Sequence, residues 1–327
     1  MKAYQSKKYG KPSRLRLIDV SKPSLKDDVV LVRIIATSIN SADAELLKGN
    51  ILIRLGSPFR VPHKILGSDI SGVVEAVGKS VTKWKKGDAV YADTSLAHFG
   101  GFAEYVAVSE DVLRIKPKNL SFIEAGAIPS AAVLAYQGLH HLDLTSKAVL
   151  INGAGGGMGT YAIQIAKAFH ADVTAVDNHY KLKAMLDLGA DHVMDYEKED
   201  FTECGKRFDV ILDCYGTRNM KKIKKALRPD GTYILVGGKP LTIIQAFLAS
   251  RKKKKPTISV LIAKYNHQDY LSEIENFFTQ ALLRPIISKV YAFSDLKEAF
   301  EAYQQNQFVG KIVISTESKY VSETLLK

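Results

Sequence analysis

The sequence predicts an α/β protein of two domains, a compact β-barrel followed by a doubly wound parallel sheet. Three observations predict it. The chain of 327 residues is longer than one hydrophobic core usually serves. The first 120 residues carry short β-branched runs separated by turn residues. From Leu120-Ser121 onward, helix and strand periods alternate, the pattern of βαβ units with helices on both faces of a parallel sheet.

In the first region the β-prone runs fall at 29–36, 71–78, 86–91 and 101–108, each bounded by Gly, Asp or Lys-Gly turns. Residues 1–120 therefore read as mostly β. Ser121 then caps a helix, with Glu124 three residues on. Beyond it, strands are expected at 148–152, 172–176, 192–194, 208–212, 232–236 and 257–262, and helices at 121–140, 158–169, 180–188, 217–227 and 268–283. Residues 310–315 read as one more strand.

The apolar run Val149-Leu150-Ile151 enters the cluster Asn152-Gly153-Ala154-Gly155-Gly156-Gly157-Met158-Gly159, and a helix-period run leaves it. This strand–turn–helix suits a dinucleotide. Glycines let the backbone approach a pyrophosphate, and the helix N-terminus offers it free N–H groups. The spacing is Ala154-x-Gly156-x-x-Gly159, with alanine in the first glycine position. Asp177 closes the next apolar run, 18 residues past Gly159, where a ribose hydroxyl would be read. Expected cofactor contacts are Ala154, Gly155, Gly156, Gly157, Met158, Gly159, Asp177, Asn178, Lys181, Tyr196 and Gly237.

Composition narrows the class. An apolar content of 46% with 24% charged residues describes a soluble globular protein. No apolar run is long enough to span a bilayer, and the start has no signal-like apolar stretch, so no membrane partner is expected. Two cysteines, Cys204 and Cys214, cannot form a disulfide framework or a four-cysteine zinc site, and a reducing cytoplasm fits. The net charge of +12 would suit an anionic partner. Its densest run, Arg251-Lys252-Lys253-Lys254-Lys255, has no interleaved aromatic for base stacking and reads as a solvated loop.

The ordered set of motifs resembles a known family. It comprises Gly67-Ser68-Asp69 with Gly72-Val73-Val74-Glu75-Ala76-Val77-Gly78, Lys86-Gly87-Asp88-Ala89-Val90, and Gly101-Phe102-Ala103-Glu104-Tyr105. It continues with Glu124-Ala125-Gly126-Ala127-Ile128-Pro129, Leu188-Gly189-Ala190-Asp191, Phe208-Asp209-Val210-Ile211-Leu212-Asp213 and Gly310-Lys311-Ile312-Val313-Ile314. Over residues 1 to about 315 it is similar to the medium-chain dehydrogenase/reductase superfamily, nearest its zinc-free quinone oxidoreductases, the zeta-crystallin-like group. The resemblance implies a GroES-like β-barrel catalytic domain over 1–121, completed by about 284–327, and a Rossmann NAD(P)-binding domain over 122–283. It places the active site in the cleft between them and implies a homodimer joined through the Rossmann sheet.

The same resemblance bears on metal. The alcohol-dehydrogenase branch binds catalytic zinc through a cysteine, a histidine and a later cysteine. This chain has Asn40 and Ser68 at the first two positions and no cysteine before Cys204. No metal site and no zinc are expected. The quinone-reductase branch commonly carries Asn-Pro-x-x-Asp; here it is Asn40-Ser41-Ala42-Asp43, and Asn40 and Asp43 are the expected catalytic-pocket residues. Leu134 replaces a threonine that relatives often place near the nicotinamide.

The implied activity is zinc-independent hydride transfer from NADPH or NADH to a quinone or an α,β-unsaturated carbonyl. Asp43, Asp69, Tyr91 and Tyr105 are all conceivable general acids, and solvent can supply the proton instead. Asp177 argues for NADH, whereas Asn178, His179, Tyr180, Lys181 and Tyr196 could meet a 2′-phosphate, and the balance leans to NADPH. Two other readings are an NAD(P)-dependent alcohol dehydrogenase, disfavoured by the missing ligands, and a cofactor-sensing or nucleic-acid-binding protein of the zeta-crystallin type.

Overall fold

A computed structural model describes residues 1–251, 255–261 and 267–321. Seven strands come first: β1 (Lys2–Gln5), β2 (Arg16–Asp19), β3 (Val29–Ser38), β4 (Asp69–Val77), β5 (Ala89–Asp93), β6 (Tyr105–Ser109) and β7 (Arg114–Ile115). Six follow the glycine-cluster pattern: β8 (Ala148–Asn152), β9 (Asp172–Asp177), β10 (His192–Asp195), β11 (Phe208–Asp213), β12 (Leu227–Leu235) and β13 (Thr257–Val260). The last two are β14 (Ile287–Ala292) and β15 (Lys311–Ser315).

Two compact units form. The first holds Met1–Ala131, Gln268–Thr279 and the chain from Pro285; the second holds Ala132–His267 and Gln280–Arg284. The first change of unit thus falls inside the helix Pro129–Leu139, later than the sequence motifs suggest.

In the first unit, β14-β15-β3-β4-β5-β7 run side by side, and β6 also pairs with β3. The inserted strand is β15. It is parallel to β14 and antiparallel to β3, and all five of its residues are buried. Ile312, Val313 and Ile314 suit a strand covered on both faces, because β-branched side chains fit a pleated surface. Val30, Val32, Ile34, Ile70, Val74 and Val90 form one core of this unit.

The second unit is a six-stranded sheet in the order β10-β9-β8-β11-β12-β13, with every pairing parallel. The order reverses between β8 and β11, so a crevice opens at their C-terminal ends, where ligands of such sheets bind. Leu150, Ile211, Phe208 and Tyr233 pack in its core. Truncating Ile211 to alanine would cost about 2–5 kcal/mol.

Four helices lie outside the expected elements: Ser41–Lys48, Ile51–Gly56, Pro240–Ser250 and Leu296–Gln305. The signals for the first are local. Asn40 is its N-cap, Asp43 sits three residues on, and Gly49 ends it at φ 68. Pro240 opens the third, at a position where its missing N–H costs nothing. The single helix expected over 121–140 is two, Phe122–Ala125 and Pro129–Leu139, because a proline inside a helix cannot donate to the preceding turn.

Candidate active and cofactor sites

In the nucleotide unit, β8 ends at Asn152 and the chain turns through Gly153, at φ 81, into the helix Gly157–Ala168. The N–H groups of Gly153 and Ala154 both bond to the Val176 carbonyl, which pins the turn against β9. Gly159 is required by packing. A Cβ there would stand 2.2 Å from the Gly153 oxygen and 2.5 Å from the Ala154 Cα. At Gly156 a Cβ would meet only the Gly153 oxygen, at 3.4 Å, an ordinary contact. The first turn, Gly157-Met158-Gly159, begins a twelve-residue helix whose leading N–H groups have no carbonyl four residues behind them. Gly237 closes the neighbouring loop, its carbonyl accepting from the Gly216 N–H at 2.8 Å.

Asp177 ends β9, yet its carboxylate turns inward. Oδ2 accepts from the Gly155 N–H at 2.9 Å and Oδ1 from the Asn178 N–H at 2.9 Å. The Lys181 ammonium lies 3.3 Å from Oδ1, and both side chains are almost wholly buried. Burial holds the Lys181 pKa below its ordinary value, while Asp177 pulls it back up. Asn178 is buried, whereas Tyr180 and Tyr196 are exposed, and the Tyr196 N–H donates to the Asp177 carbonyl. Asp213, at the end of β11, accepts from Asn152 Nδ2 at 2.7 Å and from the Tyr233 hydroxyl at 2.8 Å.

In the catalytic unit the expected pair, Asn40 and Asp43, is brought together. The Asn40 N–H donates to Asp43 Oδ2 at 2.9 Å, and the Gly67 N–H donates to Oδ1 at 2.9 Å. Asp43 is fully buried, and that burial pushes its pKa up to about 7 against the two N–H bonds that lower it. Asn40 itself is fully committed. Its Nδ2 donates to Ser68 Oγ at 3.0 Å and to Asp69 Oδ2 at 2.9 Å, and its Oδ1 accepts from the Lys311 ammonium. Lys311 also lies 3.1 Å from Asp69 Oδ2. Ser38 Oγ and the Ser130 N–H complete the shell of the Asp69 carboxylate.

The charges on either side orient the Asn40 amide, oxygen toward the ammonium and nitrogen toward the carboxylate. Ser68 Oγ must then be an acceptor of the Asn40 N–H, which leaves its own O–H free to donate. Lys311 is the residue that sequence reasoning missed. Its one signal is a lysine opening an otherwise apolar strand. Among the conceivable acids, the Tyr91 hydroxyl is engaged with Glu275 at 3.1 Å, and Tyr105 lies under Lys22, 3.7 Å from its ring centre.

A catalytic zinc needs three protein ligands. Here an amide and a hydroxyl stand at the matching positions, both hydrogen-bonded to each other, and a lysine ammonium already contacts Asn40. Both cysteines are free thiols of the other unit, and burial raises the Cys214 pKa, which favours the neutral thiol. These residues do not fit the metal. Among the described residues one trio of donors comes within 4.8 Å, His179, Asp195 and Glu197, and it belongs to the nucleotide unit.

Two family models match the chain: residues 26–118 match the alcohol dehydrogenase GroES-like domain, and residues 188–314 match the zinc-binding dehydrogenase domain. The chain belongs to the medium-chain dehydrogenase/reductase superfamily, in its quinone oxidoreductase branch. It is 32% identical to the 2-methylene-furan-3-one reductase of Solanum lycopersicum, over 96% of this chain and 79% of that one. It is 30% identical to the chloroplastic NADPH-dependent alkenal/one oxidoreductase of Arabidopsis thaliana, with the same coverage. The quinone oxidoreductase of Coxiella burnetii has the same fold, with a TM-score of 0.84 and 26% identity over 97% of this chain and 99% of that one.

Proposed function

We propose that this chain reduces quinones and α,β-unsaturated carbonyls with NADPH and without zinc. The carrying observation is the Lys311–Asn40–Ser68 chain, in which the neutral Asn40 and Ser68 stand at two metal-ligand positions and the serine hydroxyl has a hydrogen to give. The nicotinamide supplies the hydride when bound, so the protein must orient, exclude water and stabilise negative charge on the acceptor oxygen. Ser68 supplies the donor. Asn40 and Asp43 act through it: Asp43 holds the Asn40 and Gly67 backbone N–H groups, and Asn40 fixes the serine oxygen. Solvent supplies the proton. Parallel stopped-flow oxidation of NADPH and NADH against a panel of quinones and enones, with and without a chelator, tests the reading; rapid, chelator-resistant turnover of NADPH is expected.

The preference for NADPH rests on Asp177. A free carboxylate at the end of β9 would repel a 2′-phosphate, but this one is neutralised by Lys181 and has spent its oxygens on Gly155 and Asn178. Exposed His179, Tyr180 and Tyr196 surround the position. The free thiols suit a reducing compartment such as the cytoplasm.

The chain is further proposed to form a homodimer through the edge strand β13. The helix Pro240–Ser250 packs on that strand and exposes Leu241, Ile244, Phe247 and Leu248 without a single charge in its eleven residues. Light scattering at micromolar concentration should give twice the chain mass, and a monomer would refute it. Of the basic run, Lys255 pairs with Asp230 at 2.8 Å, while residues 252–254 lie outside the described residues.

A further inference from the structure

A second apolar patch lies in the catalytic unit rather than in the unit that holds the edge strand β13. The short helix Ile51–Gly56 and the turn after it expose Ile51 by 65%, Leu55 by 79% and Phe59 by 87%. Ile51 and Leu55 are one helical turn apart and share a face. Phe59 is flanked by exposed Pro58 and Arg60. Among the described residues, no core cluster of the unit includes these three side chains. Ile53, on the other face, packs inward.

The patch is ringed by cations. Lys48, Arg54, Arg60 and Lys64 are all exposed, and residues 46–68 contain no carboxylate. The N-terminal segment adds four more. The Gly10 N–H bonds to the Leu47 carbonyl at 2.9 Å, and the Tyr9 hydroxyl bonds to the Ser57 carbonyl at 2.6 Å. These contacts lay Lys7, Lys8, Lys11 and Arg14 beside the helix, all exposed, in a stretch from 1 to 15 that also lacks any carboxylate. Arg54 reaches back over the Tyr9 ring, 4.5 Å from its centre, which ties the two segments together. The nearest acid in sequence, Glu45, is partly buried and accepts from Asn50.

Aliphatic and aromatic side chains standing out of a rim of lysine and arginine match the interface of an anionic bilayer. The apolar groups enter the boundary between headgroups and chains, and the cations stay with the phosphates. The helix Pro240–Ser250 also has an apolar face, between exposed Lys239 and Arg251, but it packs on the edge strand β13, where a second copy can extend the sheet. Duplex nucleic acid would use the cations and leave Ile51, Leu55 and Phe59 in water. We propose that this face of the catalytic unit docks the protein on anionic phospholipid surfaces. The expectation of no membrane partner rests on short apolar runs and a start without a signal-like stretch, and interfacial binding needs neither a spanning helix nor a signal.

Flotation of the full-length protein with vesicles tests this. Binding to phosphatidylcholine vesicles carrying phosphatidylserine should exceed binding to phosphatidylcholine alone by at least about tenfold at 0.1 M salt, and should weaken as salt rises. The triple variant Ile51→Ser/Leu55→Ser/Phe59→Ser should lose about tenfold or more with an unchanged melting temperature, since all three side chains are exposed. In a Phe59→Trp variant, anionic vesicles should shift the added indole emission to the blue. No flotation with anionic vesicles overturns the proposal. So does triple-variant binding equal to wild type, or tighter retention by duplex DNA than by vesicles in both proteins, which would assign the cations to a polyanion.

Discussion

Two buried Asp–Lys pairs, one in each unit, use the same chemistry for opposite purposes. Asp177 and Lys181 are four residues apart and 3.3 Å from each other. Asp69 and Lys311 are 242 residues apart and 3.1 Å from each other. In the proposed function, the local pair cancels a negative charge beside the cofactor turn and tunes what binds there. The distant pair joins the end of β15 to the start of β4 and fixes the asparagine between them, so it builds the site. Both belong to a class in which burial costs about as much as attraction returns. Neither is therefore explained by stability alone.

The comparison can be broken most severely at Lys311. Lys311→Met leaves the buried Asp69 carboxyl short of its cation, and should cost about 3–5 kcal/mol in denaturant unfolding. The double variant Asp69→Asn/Lys311→Met should lose clearly less than the sum of the two single variants, because it removes both charges.

Next comes Ser68→Ala. If the serine hydroxyl carries the developing charge of the acceptor oxygen, kcat/KM should fall by about 10²-fold. NADPH affinity and melting temperature should hold, and Ser68→Thr should restore most of the rate. A loss of thermal stability equal to that of Lys311→Met would instead make Ser68 a structural member of the pair's network.

Asp177→Ser sharpens the other half. With both Asp177 oxygens held by backbone N–H groups, the proposed reading has the substitution release Lys181 toward a phosphate and break no ribose contact. NADPH should tighten by about tenfold, equivalent to 1.4 kcal/mol, while NADH stays within about threefold at fixed ionic strength. A tenfold loss of NADH affinity would show that the carboxylate swings outward when the cofactor arrives.

The smallest effect involves only a proton. The Asp43 carboxyl should titrate near 7 by NMR, far above its unfolded value near 4. An acid whose folded pKa is raised holds its proton longer in the folded state, so stability falls as pH rises through that window. Between pH 6 and 7 the loss should be about 1 kcal/mol. A midpoint near 4 would mean that the Asn40 and Gly67 N–H bonds outweigh burial.

The contrast between the pairs also marks what was legible in the sequence. Asp177, Lys181 and the glycine cluster announce themselves because strand, turn and helix follow one another locally. Their hydrogen bonds do not: an acid at the end of the second strand reads as a ribose contact, and only coordinates show it turned onto Gly155. Asn40 and Asp43 were visible as a motif, but the helix between Asn40 and Gly49 was not read. Asparagine and aspartate suit a loop as readily as a helix cap, and the runs on either side are β-prone. Lys311 could not be found locally at all. It looks like the polar start of a strand, and its role exists only because β15 inserts between β14 and β3. The helix Pro240–Ser250 was missed for a different reason. Its eleven residues are too uniformly apolar to show a helical period.

The insertion of β15 sets an order on the making of the protein. The nucleotide unit lies within the chain of the catalytic unit, so a ribosome must finish all of it before residue 311 emerges. At roughly 5–20 residues per second, the 242 residues between Asp69 and its lysine occupy roughly 12–48 s. For that interval the nascent chain carries an unfinished sheet edge at β3 and a carboxylate without its cation. The catalytic half is thus the one left incomplete the longest, and the one that a chaperone would meet.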